Sequence, residues 1–180
     1  MFLIDVVEKC KANDRSAQVQ LYRQYCDGMY NVAMRFVKNS DDAEDVLQES
    51  FIKAFQKIHQ FKGEVTFGAW LKKIVINKSI DFLKSKKEHL VALDDNYMHP
   101  VEDENWNIEV GIKLDDIKLA INDLSDKYKY VVLLFLVEGY DHSEISQILD
   151  ITETTCRTRL LRGKGYLKEL LKTRRYGTGS

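Results

Sequence analysis

The side chains best equipped for chemistry gather near the C-terminus: Thr154, Thr155, Arg157, Thr158, Arg159, Arg162 and Lys164. They lie in a stretch, 154–176, that carries eight bases against Glu169, a net charge of +7. Arginine pairs with guanine edges or with phosphate, and threonine meets phosphate or a thymine methyl. Such a run grips a polyanion rather than breaking a bond. Just before it, Asp141-His-Ser-Glu144 has capping-box spacing and opens a short helix with Ile145, Ile148 and Leu149. A tight turn at Asp150-Ile151 leads to Thr152, the expected cap of the last helix. Short helix, turn and long basic helix make the helix-turn-helix plan, whose second helix enters the major groove. Leu160, Leu167, Leu170 and Leu171 are expected to face inward. A merely solvated basic helix is the plainer alternative, and the coincidence of caps, turn and basic run favours DNA.

A second cluster begins at a loop-to-helix junction. Phe61, Phe67 and Trp70 are followed by Lys72, Lys73, Asn77, Lys78, Lys84, Lys86 and Lys87. Aromatic rings beside lysines stack exposed bases while the lysines hold the backbone, and asparagine can read the edge of one extruded base. Taken alone, Phe67 and Trp70 read more readily as core residues. A third cluster, residues 41–50, holds five acids and no base. Neighbouring helical positions diverge, so these carboxylates cannot converge on a metal or act as a catalytic pair. Asp45, Gln48 and Glu49 share one side at i, i+3, i+4. That side suits a protein partner, or is a solvated acidic face. The three cysteines and four histidines are dispersed without a CxxC, so no disulfide framework, metal site or cofactor is expected, and no catalytic residue.

These clusters need helices to hold them. One proline and nine glycines in 180 residues favour an all-α chain. Tyr22, Tyr25, Cys26, Met29, Ala33 and Phe36 mark one helix. Asp41, three before Glu44, is the expected cap of a second, with Ala43, Val46, Leu47, Phe51, Ala54, Phe55 and Ile58 inside. Thr66 is expected to cap a third, with Phe67, Leu71, Ile74, Lys78 and Phe82 inside. From 89 to 110 the period lapses around Pro100 and Trp106, and 94–116 carries net −7. That reads as an acidic linker between two small helical domains, 1–88 and 111–176. In the second, Ser125 is expected to cap a helix carrying Tyr128, Val131, Val132, Phe135 and Leu136 that stops at Gly139. The tail 177–180 reads as a cloning remnant. The start lacks a basic n-region and long apolar h-region, and no stretch is long enough to span a bilayer, so a cytoplasmic protein is expected.

All three clusters, in this order, resemble the sigma factors of bacterial RNA polymerase, and most of all the extracytoplasmic-function (ECF) group. The matching stretches are DAEDVLQESFIKAF, then FKGEVTFGAWLKKIVINKSIDFLK, then LSDKYKYVVLLFLVEGYDHSEISQILDITETTCRTRLLRGKGYL. The resemblance covers residues 5–172 and implies a region 2 helical bundle and a region 4 helix-turn-helix, in a protein that is not an enzyme. Asp45, Gln48 and Glu49 would meet the β′ clamp helices of core RNA polymerase, whose β subunit is a further implied partner. Phe61, Phe67, Trp70, Lys72, Lys73, Asn77 and Lys84 would recognise and melt the minus-ten element, with loop 63–66 near the unpaired bases. The helix from Thr154 would read the minus-thirty-five element of promoter DNA. The acidic linker would thread the polymerase along the path later used by RNA. An anti-sigma factor is one more partner that the family admits. The chain departs from the pattern at Leu124-Ser125, where leucine-proline is usual, and at Thr154-Thr155-Cys156, where glycine-threonine-valine is usual. It also has Gly163 where alanine is common. A stand-alone helix-turn-helix regulator is the rival reading, and it leaves the first two-thirds of the motifs without a task.

Overall fold

The computed structural model describes residues 2–88 and 112–176; the expected linker with Pro100 and Trp106, and the tail 177–180, lie outside them. The chain divides into two compact units, Met1–Leu93 and Asp94–Ser180. The described residues form α-helices and helical turns without a strand, so the chain is all-α.

The first unit holds α1 (Phe2–Lys11), α2 (Arg15–Val37), α3 (Ser40–Gln56) and α4 (Phe67–Glu88). Sequence reading assigned no helix to the start, yet Val6, Val7 and Cys10 are buried there and α1 rests on α2. Asp14 caps α2 by accepting from the Ala17 N–H at 3.1 Å. The α2 stripe holds at Met29, Ala33 and Phe36 but not at Tyr22, which is exposed. Asn39, not Asp41, caps α3: its backbone is extended and its side chain accepts from the Asp42 N–H at 3.0 Å. Asp41 already lies inside the helix, where its own backbone cannot take the extended form a cap requires. Thr66 caps α4 as expected, accepting from the Ala69 N–H at 3.2 Å.

Helices α2, α3 and α4 pack on one another. Because α4 touches both neighbours, its buried arc is wide: Phe67, Leu71, Val75, Ile76, Ser79 and Ile80. The expected inner positions Ile74, Lys78 and Phe82 are only half-buried. The two buried serines of this core, Ser50 and Ser79, donate to the carbonyls of Val46 and Val75 one turn back, so neither hydroxyl is left unsatisfied.

The second unit holds α5 (Leu114–Asp123), α6 (Asp126–Val132), α7 (His142–Leu149) and α8 (Glu153–Tyr176). Ser125 precedes α6, but its hydroxyl makes no capping bond. A π-helical turn, Leu133–Val137, extends α6, and the Glu138 N–H reaches back five residues to the Leu133 carbonyl. The extra residue rotates the chain, so Leu133 and Leu134 are buried while Leu136, expected inside, is exposed. Gly139 ends the segment at a φ of 77°. Both capping-box bonds are present: the Glu144 N–H donates to Asp141 at 2.8 Å, and the Asp141 N–H to Glu144 at 3.1 Å. Asp150 turns the chain in a left-handed conformation and Thr152 caps α8, accepting from the Thr155 N–H at 3.1 Å.

Candidate nucleic-acid interface

Helix α8 is committed on one side. Cys156, Leu160, Gly163 and Leu167, at i, i+4, i+7 and i+11, form its buried row, whereas Leu170 is half-buried. Gly163 is where α6 comes nearest: a Cβ there would stand 2.6 Å from Cγ2 of Val132 and 3.3 Å from Cβ of Tyr128. Cys156 Sγ lies 3.5 Å from His142 Nδ1. Burial pushes its thiol above the ordinary range, so it serves packing rather than nucleophilic attack.

The free side of α8 divides the expected contact residues into two groups. Thr154, Thr155, Thr158, Arg159 and Arg162 come together with Lys127 and Tyr128 of α6 around a shallow cavity of about 230 Å³. Arg157 and Lys164 do not line it. Arg157 is exposed and lies 3.6 Å from Glu153 one turn back. Lys164 stands over the ring of Phe135 at 5.0 Å, and Phe135 is itself stacked on His142. Sequence reading missed Lys127 and Tyr128, because nothing in a linear pattern brings α6 beside the third turn of α8.

On α4, Trp70, Lys73, Asn77 and Lys84 fall on one face at i, i+3, i+7 and i+14, with Asp81 in the same row. Phe61 leans on this face from the preceding loop, its ring 5.6 Å from that of Trp70. Phe67 is only 2% exposed and lies among Phe61, Trp70 and Tyr25. Its ring has no face to offer a base; it props the two that do. Lys72 falls on the far side of the helix from Trp70. Gly63, at a φ of 78°, turns the loop that carries Phe61 into α4.

On α3 the exposed row is Asp41, Asp45, Gln48, Ile52 and Gln56. Glu49 sits at its margin and is tied to Lys78 of α4 at 3.0 Å, as Asp42 is to Lys86 at 2.6 Å. These two pairs brace α3 against α4. Ile52 is the residue sequence reading overlooked, 58% exposed in the middle of a polar row. Its signal was available: it stands seven residues after Asp45, off the apolar stripe. Among the described residues, no group of three or more His, Cys, Asp or Glu side chains is placed to hold a metal ion. None of the described helices is long and apolar enough to cross a membrane.

The chain is similar to known proteins over most of its length. The family Sigma-70 region 2 matches residues 21–89, and Sigma-70, region 4 matches residues 114–167. The ECF RNA polymerase sigma factor SigE of Mycolicibacterium smegmatis is 32% identical over 156 residues, which cover 84% of this chain; the chain spans 60% of that relative's length. The RNA polymerase sigma factor SigV of Bacillus subtilis is 30% identical over 154 residues, covering 86% of this chain and 90% of the relative. Among solved structures, the sigma factor RpoE in complex with the anti-sigma factor NepR from Bartonella quintana shares the fold. Its TM-score is 0.57 at 23% identity, covering 85% of this chain and 95% of that one.

Proposed function

The chain belongs to the sigma-70 family of RNA polymerase sigma factors, in its ECF group, and from that membership we propose that it carries core polymerase to a promoter and helps open the DNA there. In this reading residues 1–88 act as region 2 and 111–176 as region 4, joined by the acidic stretch 89–110. The exposed row Asp45, Gln48 and Ile52 meets the β′ clamp helices. The α4 face engages the minus-ten element, and the free side of α8 engages the minus-thirty-five element. The protein works in the cytoplasm beside the polymerase and performs no catalysis itself; bond formation is the polymerase's. An anti-sigma factor, such as the one bound to the Bartonella protein, is a further partner in this reading.

The observation that carries the reading is the α4 face. A protein that binds duplex DNA alone has no use for two half-exposed rings, Phe61 and Trp70, beside Asn77 and two lysines on a helix outside the helix-turn-helix. Stacking on an aromatic ring is worth about 1–3 kcal/mol per base, enough to hold flipped bases out of a duplex once the polymerase has bent it. The test is promoter opening by reconstituted holoenzyme, read as permanganate reactivity of minus-ten thymines. Wild type should make them reactive. Trp70→Ala should bind core polymerase equally well yet open the DNA poorly. Full opening by Trp70→Ala and Asn77→Ala would remove this face from the melting step.

A further inference from the structure

Several bases of the second unit are matched by an acid. Lys129 pairs with Asp126, Arg157 with Glu153, Lys172 with Glu169 and Arg174 with Asp123. The cavity between α6 and α8 breaks that pattern. Lys127, Arg159 and Arg162 line it, and among the described residues no carboxylate pairs with any of the three. Arg159 Nε is buried there without a hydrogen-bond partner. A buried donor left without a partner is destabilising, and an acceptor entering the cavity removes that cost. Hydroxyls complete the lining. Thr155 accepts from Thr152 at 2.8 Å, which leaves its own proton free to donate. Thr154 adds a second hydroxyl, whereas that of Thr158 already donates to the Thr154 carbonyl one turn back at 3.0 Å.

We propose that this cavity is a seat for one backbone phosphate of duplex DNA, held from opposite sides by Lys127 of α6 and Arg159 of α8. The proposal rests on the reading of α8 as the duplex-binding helix and gives its parts different tasks. Uncompensated cations, donor hydroxyls and no acceptor carboxylate suit a phosphodiester; among base edges only guanine, with its two acceptors, would suit such a lining, and half of the cation pair stands outside the groove-entering helix. Lys127 comes from outside the groove-entering helix, where the strand flanking the groove passes. Arg159 then fixes register and contributes affinity without sequence information, although its place in the basic run suggests a base reader. Arg157, on the other flank, is left to meet base edges.

The test uses the full chain assembled with core polymerase, on promoter duplexes in which one phosphate at a time is replaced by a neutral methylphosphonate. One position should weaken wild-type binding most, weaken Lys127→Ala and Arg159→Ala less, and leave the double variant no weaker than it already is. Both variants should lose affinity evenly across single-base promoter variants. Each phosphate contact contributes about −0.9 to the log–log salt slope, so a fourfold rise in salt should weaken each variant about 3–4-fold less than wild type. Lys127 is exposed, so its truncation leaves the core intact even if Arg159→Ala disturbs packing. Additive losses at every phosphate, or a changed base preference in either variant, would overturn the seat. A second arm titrates inorganic phosphate against the full chain at constant ionic strength. Saturable binding lost in Lys127→Ala, without a phosphate-specific effect in the duplex series, would assign the cavity to the free ion and overturn the DNA assignment. Normal promoter binding that Lys127→Ala leaves unchanged sinks the seat alone. Wild-type holoenzyme that holds no promoter takes down the seat together with the reading of α8.

Discussion

Replacing Gly163 by alanine should loosen the second unit, although alanine is the better helix former. The added methyl would stand 2.6 Å from Val132 Cγ2 and 3.3 Å from Tyr128 Cβ, where unstrained carbon contacts lie at about 3.5–4.0 Å. Val132 is fully buried and branched at Cβ, so it cannot swing aside. Overpacking of this kind costs about 1–3 kcal/mol, and a shortfall of nearly 1 Å puts Gly163→Ala in the upper part of that range. The helix-propensity gain returns about 1 kcal/mol. The net expectation is a loss of about 1–2 kcal/mol, confined to residues 112–176. Hydrogen exchange resolves the two units: amides of α6 and α8 should exchange about 5–30-fold faster, while those of α2, α3 and α4 stay unchanged. A double-mutant cycle with Val132→Ala checks the cause, because removing the opposing methyls should rescue Gly163→Ala by about 0.5–3 kcal/mol of coupling. Protection that rises in Gly163→Ala, or effects that add without coupling, would refute the close approach of α6 and α8.

Gln48→Ala should weaken core-polymerase binding by about 2 kcal/mol with a melting temperature within the range of a surface change, about ±0.5 kcal/mol; unchanged affinity in a fluorescence titration refutes its role. Burial pushes the phenols of Tyr130 and Tyr140 up to about 12, from an ordinary 10. Their folded pKa values are raised, so their contribution to stability is complete below pH 10 and lost as pH climbs from 10 to 12; melts stepped through that window should show the second unit failing first. Cys26 is half-exposed, whereas Cys10 and Cys156 are buried with thiols raised by burial. Alkylation of the native chain should therefore stop at Cys26 until denaturant is added, and early labelling of Cys156, followed by mass spectrometry, would contradict the packing of α7 on α8.

What the sequence disclosed followed from short-range rules. The capping box at Asp141–Glu144, the turn at Asp150 and the caps at Thr66 and Thr152 depend on residues three or four apart, and the structure has all of them. The misses needed the third dimension. The buried face of α4 shifted because two helices press on it, a fact no single-helix period contains. The π-helical turn that exposes Leu136 leaves no mark in residue type. Asp41 and Asn39 compete for one cap, and the choice depends on where the left-handed residue Lys38 ends α2. Of the candidate site, α8 was legible as a basic helix, yet its division between a cavity flank and an Arg157 flank depends on α6. Glu49 was readable as part of an exposed row, but its pairing with Lys78, 29 residues away, was not.

In the proposed function, core polymerase starts transcription at promoters when this chain is bound to it. Run-off transcription on genomic fragments, with core enzyme alone and with core enzyme plus the chain, measures it directly. Discrete transcripts should appear only when the chain is present and should fall sharply with Gln48→Ala and Trp70→Ala. Transcripts identical with and without the chain, despite specific binding of the chain alone to duplex DNA, would contradict that function and make the protein a stand-alone regulator.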